Sequence, residues 1–257
     1  MRRLAYGLAL LVLPLAVVAC GGHKTSSTTT LPEDPVAAVK GAAAKTAQAG
    51  SEHLSIFGRV AARGQTVTFK GAGDFDTAKH LGSLKGDFSV GGLNGSLEEI
   101  SSGTDAYVKS DLLSALVPGG KQWVKLDLAK TAKAQGVSIA SFLSLDPTQA
   151  LVQLQSLRDV QKVTTQVVGS KTTHYRARID LSKLNGGVAK SGTGRYDVWI
   201  GEDGYVHQVK AIVTTGGSTS TLTTDLSNFG ESVSVSVPKP ADTFDGTNAS
   251  IPGLTGG

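Results

Sequence analysis

Three successive stretches between Ser51 and Val90 place apolar residues at every second position, a spacing that only an extended strand gathers on one side. In Ser51 to Ala62 that side carries Leu54, Ile56, Gly58 and Val60. In Gln65 to Phe75 it carries Val67, Phe69, Gly71, Gly73 and Phe75, and in Gly82 to Val90 it carries Leu84, Gly86, Phe88 and Val90. Phenylalanine and glycine therefore share one face. Glycine inside a strand weakens it and marks a bend or a close approach. The sheet is expected to curl strongly, and the space above it to be under-filled. A dry apolar void admits apolar guests. The alternative, in which the glycines only relieve twist over a solid core, stays open on composition alone.

The same period recurs along the chain. Ser96 to Ile100, Asp105 to Lys109 and Gln122 to Leu128 read as strands, the last with Val124 and Leu126 on one face. Val160 to Val168, Thr172 to Ile179, Arg195 to Gly201, Tyr205 to Val213 and Ser220 to Leu226 follow, and Ser232 to Val237 alternates Val with Ser. Gly201-Glu202-Asp203-Gly204 is a hairpin turn. Two segments break the pattern. Asp34-Pro35 is an N-cap and first helical position, and the alanine-rich Pro35 to Ala49 predicts a helix that Gly50 stops. From Ala129 to about Leu157 a helical interlude intrudes, where Leu151, Leu154 and Leu157 form one apolar stripe. Helix, strands, helices, strands is the order of an α+β domain and not of a βαβ core. The expected fold is a strongly curved antiparallel half-barrel with helices over its concave face. The cavity lining read from strand and helix phase is Leu54, Ile56, Val60, Val67, Phe69, Phe75, Leu84, Phe88, Val124, Leu126, Leu151 and Leu154.

The N-terminus sets the compartment. Arg2 and Arg3 precede an uncharged apolar run, Leu4 to Val18, which is shorter than the roughly 20 residues a spanning helix needs and fits a cleaved export signal. It closes with Val17-Val18-Ala19-Cys20, which resembles the bacterial lipobox, so residues 1–19 are expected to be removed and Cys20 to carry diacylglycerol. Cys20 is the only cysteine, which rules out an internal disulfide. Acylation also removes the liability of a free thiol in an exported chain. Residues 20–34 form the lipidated cysteine and a Ser/Thr-rich tether, 35–240 the folded domain, and 241–257 a loose, glycine-rich tail. The chain is thus expected on the extracytoplasmic face of the cell membrane, held by lipid, as a monomer. Its 25 basic residues against 21 acidic ones, two of the former in the leader, are scattered singly. Nucleic acid as a partner needs a concentrated basic face and is not expected.

Catalytic constellations are missing from the sequence. There is no G-x-S-x-G turn, and Gly71-Ala72-Gly73 and Gly192-Thr193-Gly194 lead to Asp76 and Asp197 where a dinucleotide loop has its third glycine. Gly169-Ser170-Lys171-Thr172 reads as a strand-to-strand turn. The five histidines, His23, His53, His80, His174 and His207, show no metal-ligand spacing, and His174 and His207 fall on polar strand faces as surface residues. Glu98 and Glu99 are sequence neighbours on a strand and point to opposite faces, so they form no acid–base dyad. Arg176 and Arg178 share the face of His174 as a solvated row. No cofactor, metal or enzymatic activity is expected.

The ordered set of lipobox, Ser/Thr tether, DPVAAV, FKGAGDFDTAKH, GDFSV, WVKLDL, LDPTQAL, YDVWIGEDGYVHQVK and NFGESVSVSVPKPAD resembles the actinobacterial lipoproteins of the LppX/LprG type (LppX_LprAFG) over nearly the whole mature chain. The resemblance implies a LolA/LolB-like half-barrel around helices. It further implies a hydrophobic cavity that takes up long-chain lipid or acylated glycolipid and carries or presents it in the envelope, with an envelope transporter or acceptor protein as partner. The alternative is a non-catalytic structural or signalling lipoprotein with a solid core and a protein partner.

Overall fold

The computed structural model describes residues 29–62, 64–114, 117–128, 130, 151, 154–155, 157–168, 170–180 and 192–247. The signal segment, Cys20, residues 21–28 of the tether, most of the helical interlude and the chain after 247 lie outside them. Among the described residues, helix α1 (Pro35–Gln48) comes first. Strands β1 (Ser51–Ala62), β2 (Gln65–Asp76), β3 (Leu81–Val90), β4 (Leu93–Ser102) and β5 (Asp105–Ser110) follow, then the short helix α2 (Asp111–Ser114) and β6 (Trp123–Asp127). After the interlude come β7 (Gln161–Val168), β8 (Ser170–Asp180), β9 (Thr193–Gly201), β10 (Val206–Thr215), β11 (Ser218–Ser227) and β12 (Thr243–Asp245).

All twelve strands belong to one sheet, in the order β12-β6-β5-β4-β3-β2-β1-β11-β10-β9-β8-β7. Hairpins join most neighbours, and the sheet stays open between β12 and β7. Its ladders are antiparallel except for β12, which runs parallel to β6 through Thr243 opposite Trp123. The segment read as a loose tail therefore supplies one more strand, whose Phe244 packs beneath β6. Ser232 to Val237 forms no strand. It follows β11, whose two sides are already taken by β1 and β10, so it cannot extend the sheet as a hairpin from that strand.

The sheet is curled. Leu84 of β3 and Tyr175 of β8 belong to one buried cluster together with Phe75, Leu54, Leu226, Val209 and Val198 from the strands between them. Six inter-strand spacings would separate β3 from β8 by roughly 29 Å if the sheet were flat. One helix, about 21 Å long, together with Leu151, Leu154 and Leu157, covers that span, which a concave sheet permits and a flat one does not.

Helix α1 forms for local reasons and docks for specific ones. The Asp34 carboxylate accepts hydrogen bonds from the amides of Val36 and Ala37, at 3.4 and 2.9 Å, and Pro35 occupies the first turn. Gly50, at φ 82°, takes the chain out of the helix and into β1. Ala38, Val39, Ala42 and Ala43 face the sheet and are buried in the main cluster, and Thr46 is buried on the same helix. The small alanines bring the helix close to β9 and β10.

Candidate functional site

The ladder registers fix which side chains share the concave face. One row runs Val124–Val108–Glu99–Leu84–Gly73–Leu54–Leu226 across six hairpin partners and β11. The next toward the far ends of the strands contains Leu97, Gly86, Gly71 and Ile56, and beyond it come Gly95, Phe88, Phe69, Gly58 and Leu222. The last row is Leu93–Val90–Val67–Val60. Strand phase read from the sequence thus assigned the face correctly.

Burial divides the cavity residues expected from sequence into three groups. Leu54, Ile56, Phe75, Leu84, Leu151 and Leu154 meet in the main buried cluster, with Phe69 packed against it. Val124 and Leu126 do not join them; they form a second cluster with Val108 and Val117, near the β6 edge of the sheet. Val60, Val67 and Phe88 are half-buried and belong to neither. In their direction the face opens: Val90 is 36%, Leu222 39% and Leu93 65% exposed. The concave face is packed at the α1 end and bare at the other.

The glycines do something other than leave room. A Cβ at Gly82 would run into the ring of Phe75, its direct cross-strand partner. A Cβ at Gly95 would come within 2.6 Å of the Phe88 ring, and one at Gly71 within 2.8 Å of the Phe69 ring. Each phenylalanine lies down over a neighbouring glycine, an arrangement in which the ring replaces the missing side chain on the sheet surface. The expected under-filling at the glycines is therefore corrected: those gaps are occupied. The rings, laid along the sheet instead of projecting from it, make a low wall.

Two carboxyls lie on this face. Glu52, on β1, is 1% exposed, and Glu99, on β4, is 3% exposed. Burial pushes the Glu99 carboxyl up to about 8, so it is mostly protonated at neutral pH. Sequence reading treated Glu99 only as half of a charged pair; its phase with Leu97 was the signal that it faces inward.

The opposite face of the sheet carries polar groups. His174 was expected as a surface residue and is instead 4% exposed, stacked on Trp199 with ring centroids 4.4 Å apart. Its Nε2 lies 2.8 Å from Asp197 Oδ1, to which Arg176 Nε also donates at 2.6 Å. Arg195 Nε is 3.0 Å from the other oxygen. Burial raises the Asp197 carboxyl, but the hydrogen bonds from Arg176 and His174 and the charges of Arg176 and Arg195 outweigh it and hold the group below its usual range. The solvated row expected here is thus an ion-pair cluster around buried Asp197 and His174, with the Arg176 and Arg195 side chains partly exposed and Arg178 exposed outside it. A groove of about 460 Å³ lined by Phe57, Lys70, Asp87 and Asp111 also lies on this face. Among the described residues no group of three or more His, Cys, Asp or Glu side chains is placed to hold a metal ion, and no helix is long and apolar enough to cross a membrane.

No family model and no curated protein matches the chain. Among solved structures it is similar to LprF from Mycobacterium bovis, at 13% identity and a TM-score of 0.49, over 82% of this chain and 99% of that one. It is also similar to a DUF1329 family protein from Desulfovibrio piger, at 14% identity and a TM-score of 0.32, over 79% of this chain and 95% of that one. A third is a domain from Vibrio parahaemolyticus described as outer membrane lipoprotein-sorting, at 12% identity and a TM-score of 0.30, over 74% and 92%.

Proposed function

We propose that this domain holds a long-chain lipid or acylated glycolipid against its concave face, and carries or presents it in the cell envelope while lipid on Cys20 keeps the protein at the membrane. No catalytic step belongs to this reading. The observation that carries it is the continuity of one apolar surface. The rows that bury Leu54, Ile56 and Leu84 beneath helical cover run on to half-buried Val60 and Val67 and to exposed Val90, Leu93 and Leu222. Exposed apolar surface continuous with a core marks a place where something else binds. Acyl chains suit it because burial contributes about 25 cal/mol per Å² and needs no directional partner. The helical residues Leu151 and Leu154, both buried against the sheet, are the cover that would shift to admit a chain.

A second reading has an observation in its favour. The phenylalanine rings seated on Gly71, Gly82 and Gly95 close the gaps that would have deepened a hollow, as expected of a structural or signalling lipoprotein with a solid core. Native mass spectrometry separates the two. Anchor-free protein, extracted with organic solvent and incubated with phospholipid or triacylated glycolipid, should acquire one lipid mass. If neither a diacyl nor a triacyl lipid adds, the carrier reading fails and the solid-core reading stands.

A further inference from the structure

We infer that Glu99 is the polar fixing point of this lipid site, hydrogen-bonding the ester carbonyl where an acyl chain meets its head; the inference rests on the lipid-binding reading and adds a ligand class to it. The geometry is specific. Glu99 stands directly opposite Leu84 on β3 and Val108 on β5, and cross-strand partners share a face. Leu84 belongs to the main buried cluster and Val108 to the second, so the carboxyl sits at the seam between two apolar surfaces. Its Oε2 is fully enclosed and has no hydrogen-bond partner among the described residues. A buried polar group in that condition is costly, and a leucine would fill the same place without the cost.

The chemistry of the group narrows what it would accept. With burial pushing its carboxyl up to about 8, Glu99 is chiefly a neutral acid, with one O–H donor and one carbonyl acceptor. An ammonium or other cation is not required to balance it. A ligand lying along Leu84 and Val108 on either side is a hydrocarbon, and the one polar feature that such a ligand must bring inside is the linkage at the head of its chain. An ester carbonyl there accepts the O–H bond. The ether of an alkyl lipid is a poorer acceptor and offers no carbonyl.

Competition tests this. The full chain, stripped of bound lipid, is offered equal amounts of a diester glycerolipid and its diether counterpart of the same chain length, and the lipid retained is counted by mass spectrometry. The wild type should retain the diester about five-fold or more over the diether, the ratio one net hydrogen bond supports. Glu99→Gln, which keeps a donor and an acceptor, should preserve the preference. Glu99→Leu should lose the preference and load both lipids equally. A wild type that loads both without preference overturns the role of Glu99 while lipid binding stands. A preference that persists in Glu99→Leu does the same. If neither lipid is retained by any form, both readings fall together.

Discussion

The ring of Phe75 lies across Gly82, its partner on the neighbouring strand, in the space that a side chain at Gly82 would fill. Gly82→Ala should therefore destabilise the domain although alanine forms strands at least as well as glycine. Displacing a packed ring costs about 1–3 kcal/mol. Urea unfolding of Gly82→Ala, of Phe75→Leu and of the double variant forms a cycle, and the double variant should recover part of the loss. Strict additivity would show that the ring does not depend on the glycine.

Thr46 joins the helix to the sheet through one hydroxyl. It accepts from the Val206 amide at 2.9 Å and donates to the Ala42 carbonyl at 2.8 Å, and it is fully buried. Thr46→Val keeps the shape and removes both bonds, leaving the Val206 amide unsatisfied where β10 departs from regular register. The expected loss is about 1–3 kcal/mol, read from the urea midpoint at constant slope. A change below about 0.5 kcal/mol, the range of ordinary surface substitutions, would refute the contact's importance.

Glu99 makes stability fall with pH. Its carboxyl is raised from 4.5 to about 8, so the folded state binds a proton that the unfolded chain releases. The favourable difference is complete below pH 4.5 and lost as pH rises toward 8, at up to about 1.4 kcal/mol per unit. Glu99→Gln does not titrate, so its stability relative to wild type should grow between pH 5 and pH 8 and level off above. Parallel denaturation curves at both pH values would contradict this.

Asp197 works in the other direction. Its carboxyl is held below 3.8 because the bonds from Arg176 and His174 and the charges of Arg176 and Arg195 exceed the effect of burial. That stability is present above pH 3.8 and disappears as pH falls through the lower folded value. Asp197→Asn should cost roughly 3 kcal/mol at pH 7, and the gap to wild type should close in acid. Thermal unfolding between pH 2 and pH 7 reads both ends.

Much of the fold could be read from alternation, because a one-residue slip in strand phase would have turned Leu54, Ile56 and Leu84 outward together. The helix start could be read from Asp34 and Pro35. What escaped depends on partners distant in sequence. His174 was placed on the correct polar face, yet its burial comes from Trp199 and Asp197 on another strand. The alternating Ser232 to Val237 joins no ladder, which periodicity alone does not reveal. Strand β12 is three residues long and parallel to its partner, too short for any period to show. The residues expected to line a cavity were legible as one face of the sheet, but their division between two clusters follows from distance to the sheet edge.

The N-terminal end of the domain is stapled down. Thr29 donates its amide to the Glu202 carbonyl at 2.6 Å, and the Lys45 ammonium reaches the Asp203 carbonyl. This turn precedes Val206 at the start of β10, whereas Val213 pairs with Ser220, opposite Val60 in the bare row. The seven steps from Val206 to Val213 span roughly 23 Å. Thr29 is thus fixed at one pole of the sheet, while the greasy lip occupies the other. Under the proposed anchoring at Cys20, the lip would sit at the end of the domain away from the point where the tether enters it.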